Sequence, residues 1–247
     1  MQWTDDGILL SVRRLGEASI IADVMTRSHG RHAGVVRGGR SRRLAPVLQP
    51  GNAVSVTWQA RLAEQLGTYV VEGTELRAAA MMGSGAFLNG ITCLACLVSL
   101  LPECDPHEAV YEALRIILQH LHRPELAGPL LVRFELQMLA ELGFGLELSE
   151  CAATGGTQEL IYISPKSGRA VSRAAGEPYA DRLLPLPGFL RGSDAAGLTA
   201  EQLLAGFAVT GYFLERRIME PRGLLLPEAR RAFRDLAVRQ LGHFTEP

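Results

Sequence analysis

The hydrophobic period of the chain changes once, near residue 77, and that change limits the fold more than any other feature. Before it, short apolar runs are broken by turn residues: Ile8–Val12, Ser19–Met25, His32–Arg37, Ala53–Ala60 and Gly67–Glu75. In Ala53–Ala60, Val54, Val56 and Trp58 alternate with Ser55, Thr57 and Gln59, the period of a half-buried strand. Five such segments in one short stretch predict a small barrel or sandwich, because closing the sheet hides its edges.

After residue 77 the spacing is helical. Ala78–Leu101 is rich in Ala, Leu and Met. Asp105-Pro106-His107-Glu108 predicts a helix start, with Asp105 as N-cap, Pro106 at the first helical position and Glu108 three residues on, running to about His122. A helix over 125–142 ends at Gly143, and two more follow at about 199–219 and 227–242. Between them, 149–192 is loop-rich, with extended pieces at Glu159–Ser164 and Ala170–Ser172. The domain boundary is therefore placed near residue 79: a β-rich front (1–79) and a mainly helical back (80–247) carrying an irregular insert at 149–192. No Pro/Ser linker separates them.

The formal net charge is −1, so a nucleic-acid surface would have to come from local clustering. Of the 25 basic residues, all but Lys166 are Arg, whose planar guanidinium stacks on bases and forks onto phosphates. The densest cluster is Arg27–Arg43, with Arg27, Arg31, Arg37, Arg40, Arg42 and Arg43, His29 and His32, and no acidic residue. Gly38-Gly39 would let a phosphate backbone come close, and Arg13 and Arg14 on the neighbouring turn extend the patch. A solvated basic loop has the same composition. A small barrel favours the nucleic-acid reading, because OB-folds bind single strands through cationic, stacking grooves. Trp58 and Tyr69 are stacking candidates or, by burial habit, core residues.

Enzymatic signatures are missing from the sequence. Lys166 follows Pro165 rather than the Gly of a phosphate-binding loop, His107-Glu108 lacks the second His of a zinc-protease helix, and there is no Gly-x-Ser-x-Gly elbow. Cys93-x-x-Cys96 has zinc-knuckle spacing but lies in an apolar helical run without a second pair, so these read as buried thiols. The cysteines and the first residues, which lack a secretory pattern, predict a reduced, cytoplasmic protein; no apolar run is long enough to span a membrane. Phe134, Leu136, Met138, Leu139 and Leu142 follow helical spacing beside Arg133. They form a core stripe or an Arg-rimmed groove for an acidic, Phe-ended tail.

The order of several short strings resembles the RecO family of bacterial recombination mediators. In the front these are Gly7-Ile-Leu-Leu-Ser, Arg14-Leu-Gly-Glu17, Thr26-Arg-x-x-Gly30-Arg31, Arg37-Gly-Gly-Arg-Ser and Leu48-Gln-Pro-Gly51. In the back they are Arg133-Phe-Glu-Leu136, Leu142-Gly-Phe-Gly145 and Cys151-Ala-Ala-Thr-Gly. The resemblance implies an α+β chain: a five-stranded OB-fold barrel, then a helical domain with a small insert. It implies a non-enzymatic, nucleoid-associated protein that needs no cofactor or small-molecule substrate. Such a protein binds single- and double-stranded DNA, anneals complementary strands and, with RecR, helps RecA replace SSB on gaps. Carried onto this sequence, the family's basic strand and loop fall on Arg37, Gly38, Arg40, Arg42 and Arg43. Docking of the SSB C-terminal tail falls on Arg133, Phe134 and Leu136. The four-Cys zinc site of some members keeps only Cys151 here, so no metal is expected. Lys166 and Arg169 of the insert would add phosphate contacts. A protein–protein adaptor whose barrel never touches nucleic acid is the alternative.

Overall fold

Strand β1 (Gln2–Leu15) is long enough to serve two neighbours, and this closes the sheet. Its first half pairs antiparallel with β4 (Ala53–Gln59) and its second half with β2 (Ser19–Thr26), with a register shift between Leu9 and Ser11. An irregularity of that kind bends the strand, as a barrel requires. β2 continues to β3 (Arg31–Val36), β4 pairs with β5 (Thr68–Glu75), and a short parallel contact between β3 and β5 completes a closed five-stranded OB-fold barrel, in the order β1-β2-β3-β5-β4. Its interior holds the inward phase of each alternating strand, including Leu9, Val24, Val36, Val54, Val56 and Trp58. This computed structural model describes residues 1–62, 64–192 and 197–245.

Helices α1 (Arg77–Met81), α2 (Gly85–Val98) and α3 (Glu108–His120) follow the barrel. The chain divides into two compact units, Met1–His122 and Arg123–Pro247. The boundary expected near residue 79 thus falls inside the first unit, and α2 and α3 belong with the barrel. Phe87 and Ile91 of α2 press on Gly51, where an added Cβ would lie 2.9 Å from the Phe87 ring. Buried Asn52 joins three segments: its amide donates to the carbonyls of Pro46 and Val47, both at 2.9 Å, and its carbonyl accepts from Ala78 N at 2.9 Å. The start of α3 differs from the expected one. His107, not Asp105, occupies the cap position, with no side-chain cap bond, and the helix begins at Glu108.

In the second unit, α4 (Pro124–Glu141), α6 (Ala200–Leu214) and α7 (Glu228–Thr245) pack around Phe134, Phe207, Phe213 and Phe233. Thr199 and Gln202 form a reciprocal capping box at the start of α6, so this helix is well specified locally. The insert carries a three-stranded sheet in the order β7-β6-β8, built from β6 (Leu160–Ile163), β7 (Ala170–Ser172) and β8 (Leu184–Pro185), with a one-turn α5 (Arg173–Gly176). Its third strand lies beyond the two extended pieces expected from the sequence. Among the described residues, no helix is long and apolar enough to cross a membrane.

Candidate nucleic-acid interface

Residues 37–52 connect β3 to β4, and they are a succession of turns rather than the flexible loop the glycines suggest. Backbone bonds run from Ser41 N to Gly38 O (2.9 Å), Leu44 N to Ser41 O (3.1 Å) and Leu48 N to Leu44 O (2.9 Å), and buried Leu48 anchors the segment in the barrel. Gly38 sits at φ 67° with open space around it, and this left-handed residue turns the chain so that the arginines face outward. Gly39 is needed for a different reason: a Cβ there would lie 2.5 Å from Ile20.

Arg40 connects this segment to the β1–β2 hairpin. Its Nη1 donates to the carbonyl of Glu17 at 2.5 Å, and its backbone N donates to Ala18 O at 3.3 Å. Arg13 and Arg14 stand near the tip of the same hairpin, opposite Ile21 and Ile20. Arg13, Arg14, Arg37, Arg40, Arg42 and Arg43 are therefore all exposed, and none pairs with a carboxylate among the described residues. Arg37 and Arg43 also line an open cleft of about 490 Å³ with Leu44, Gln59, Thr68, Tyr69 and Val70. The cleft lies where β3 leaves β5, because their pairing covers only Val35↔Thr68 and Val36↔Tyr69. Sequence reading missed this far wall. Its signal was Val70, an aliphatic residue in the outward phase of β5 that is 65% exposed.

Two expected members of the row are elsewhere. Arg27 Nε donates to Glu108 at 3.0 Å and its Nη2 lies 3.5 Å from Glu112, both on α3. Arg31 is largely buried, paired with Asp23 at 3.0 Å and Glu103 at 3.2 Å, and donates to Leu101 O. These two arginines neutralise local carboxylates where α3 and the segment before it meet the barrel. Burial raises the Asp23 carboxyl above its usual range, and the Arg31 guanidinium opposes that shift.

The stacking candidates are core. Trp58 is 2% exposed and Tyr69 is 4% exposed. They join an aromatic cluster in which Trp3 is stacked between His29 (4.1 Å, 7°) and Trp58 (5.7 Å, 19°). His29 Nδ1 lies 2.9 Å from Asp5 Oδ2. Burial lowers the pKa of His32, which meets Trp58 edge-on at 5.0 Å.

In the second unit Lys166 is exposed at a turn whose carbonyl accepts from Arg217 at 2.6 Å, while Arg169 pairs with Glu150 at 2.9 Å. The Arg133-Phe-Glu-Leu136 string is split by the helix. Arg133 is exposed and donates to Phe189 O at 3.0 Å, Leu136 is half-buried, and Phe134 is buried core and cannot meet a ligand. Glu135, which carried no expected role, is fully buried and paired with Arg230. Cys93 is buried and Cys96 half-buried in α2. Cys151 Sγ accepts from Ser172 N at 3.3 Å and lies 3.5 Å from Ser172 Oγ.

Residues 1–76 match the family model described as Recombination protein O N terminal, and residues 90–225 match Recombination protein O C terminal. The chain is 54% identical over 243 residues to DNA repair protein RecO of Rhizobium etli, covering 98% of this chain and 94% of the relative. It is 53% identical over 244 residues to the protein of that name in Rhodopseudomonas palustris, covering 98% of each. The DNA repair protein RecO of Chelativorans sp. is 53% identical over 241 residues, 98% of this chain and 97% of that one. An OB-fold barrel with an exposed arginine row, followed by a helical unit, thus sits in a DNA repair protein, and the chain belongs to the recombination protein O family.

Proposed function

We propose that this chain is a recombination mediator that binds single- and double-stranded DNA through the arginine row of its barrel. In this reading it anneals complementary strands and, together with RecR, helps load RecA on SSB-coated gaps. The observation that carries the reading is the exposure of Arg13, Arg14, Arg37, Arg40, Arg42 and Arg43 on one hairpin and one turn segment, with no carboxylate partner among the described residues. Unpaired guanidiniums displace counterions from phosphates, and the ions released drive binding without nucleotide hydrolysis. Two strands neutralised in this way approach each other with less repulsion and can test base pairing. Lys166 is a further phosphate contact in this reading. Arg133 and Leu136 are the positions for the acidic tail of SSB; Phe134 has no part in it.

The test is a salt titration of oligonucleotide binding with Arg40, Arg42 and Arg43 replaced together by Ala. Each phosphate that is no longer neutralised makes the log–log salt slope shallower by about 0.7 for a single strand. Weaker affinity together with a flatter slope supports the reading. An unchanged slope and affinity reject it in favour of an adaptor role.

A further inference from the structure

We infer that the barrel holds a DNA strand by its sugar–phosphate chain alone and leaves the bases facing outward, open to a second strand. This deepens the DNA-binding reading above and rests on it. The first unit contains five Phe, Trp and Tyr rings: Trp3, Trp58, Tyr69, Phe87 and Tyr111. Four are buried and Trp3 is half-buried. Trp3 stacks on both His29 and Trp58. The cluster reaches solvent at an open cleft of about 390 Å³ lined by Trp3, His29, His32 and Trp58, with no arginine in its walls, and His29 there stands against the Asp5 carboxylate, where a phosphodiester chain is repelled.

A barrel that binds single strands through bases needs exposed π-faces, each worth about fivefold or more in affinity per stacked base. Here the aromatic ring that borders the arginine cleft, Tyr69, is only 4% exposed, and the half-buried Trp3 borders a different cleft with no arginine in its walls. The more accessible apolar walls of the arginine cleft are the aliphatic Leu44 and Val70, which suit a deoxyribose edge better than a base plane. A chain gripped in this way is sequence-blind and keeps its Watson–Crick edges unoccupied. The barrel that concentrates the strand is therefore also the one that presents it for pairing.

The full-length protein is titrated at low salt with oligothymidylate and with a chain of equal length and charge built from abasic units, and bound thymines are probed with permanganate. The expected result is affinities within about twofold of each other and thymines as reactive as in free DNA. Abasic binding weaker by about fivefold or more, the loss of one stacked base, overturns the inference, as do protected thymines. His29→Ala is expected to leave both affinities unchanged. A drop confined to oligothymidylate would place a base on that ring and reject the inference while leaving DNA binding intact. Failure to bind either chain would remove the DNA-binding reading itself, and the inference with it.

Discussion

Arg230 of α7 holds Glu135 of α4 with both arms of its guanidinium: Nε donates to Oε1 at 2.6 Å and Nη2 to Oε2 at 2.9 Å. The pair lies in the core of the second unit, with the Glu135 side chain fully buried. It is satisfied on every side. Thr210 Oγ1 donates to the same carboxylate at 2.5 Å, Arg230 also donates to Phe207 O at 2.8 Å, and its guanidinium sits 5.3 Å from the centre of the Phe207 ring. Three helices are thereby fixed in one register. Removing one partner leaves a charge in an apolar interior. Arg230→Met or Glu135→Leu alone is expected to lower stability by about 3–5 kcal/mol, whereas the double replacement recovers much of that loss. Urea denaturation of the four proteins in the cycle checks this. Additive losses would show that the two charges are not coupled.

Arg31 separates structural from functional arginine. Its guanidinium joins Asp23 on β2 to Glu103 and to the carbonyl of Leu101, in a part-buried setting. Arg31→Ala is expected to cost roughly 1–3 kcal/mol of stability and to leave the DNA affinity of the folded protein and its salt slope unchanged. Loss of Arg31 also removes what holds the buried Asp23 carboxyl down. A carboxyl raised in the folded state favours folding below its ordinary pKa, and that contribution is lost as pH rises through the raised value. The variant's deficit should therefore shrink on acidification toward the carboxylate range. Denaturation at several pH values reads it directly, and a deficit independent of pH would contradict this assignment.

Gly30 tests the seating of the segment before α3 on the barrel. It lies at φ 67°, and a Cβ there would meet the Asp105 carbonyl oxygen at 1.9 Å. Both the backbone strain and the collision act against Gly30→Ala, so a loss of roughly 2 kcal/mol or more is expected, seen as a lower melting temperature. Gly16→Ala is the control. It shares a left-handed φ of 62° but has nothing within 4 Å, so it should cost only the backbone term. Equal losses in the two variants would show that the approach to Asp105 is unimportant.

The strands and most of the helices were legible because one face of each is apolar at a fixed period, and burial follows that period. What the chain could not reveal was long-range pairing. Arg27 and Arg43 look alike in a basic cluster. Only the fold brings Glu108 and Glu112, some eighty residues away, onto the first and leaves the second in solvent. The Arg133–Leu136 string read as a single docking motif, yet a turn of helix sends Arg133 outward and both Phe134 and Glu135 inward. The aromatic residues of the barrel were ambiguous for a related reason. Alternation puts Trp58 and Tyr69 on the inner phase, but whether an inner ring also borders a groove depends on what packs over it. Here that is Trp3 and His32, brought from the first and third strands.

Cys151 carries the remaining prediction. Burial pushes its thiol up, but hydrogen bonds from the Ser172 side chain, Thr154, and the backbone of Ser172 and Ala153 outweigh burial and hold it down to about 6. The donors come from the turn after Cys151 and from the end of β7, so Cys151 joins one to the other. The sign of the linkage follows from a depressed pKa. The contribution to stability is fully present above the ordinary thiol pKa of about 8.5 and is lost as pH falls through about 6. Between those values the folded protein should gain stability as pH rises. Cys151→Ser should flatten that gain, because a serine hydroxyl stays protonated throughout the window. Two measurements check it: denaturation midpoints across the window for both proteins, and the difference in thiolate ultraviolet absorbance between them. An absorbance step near the ordinary thiol pKa, or parallel stability curves, would mean that Cys151 remains a neutral donor to Ser172.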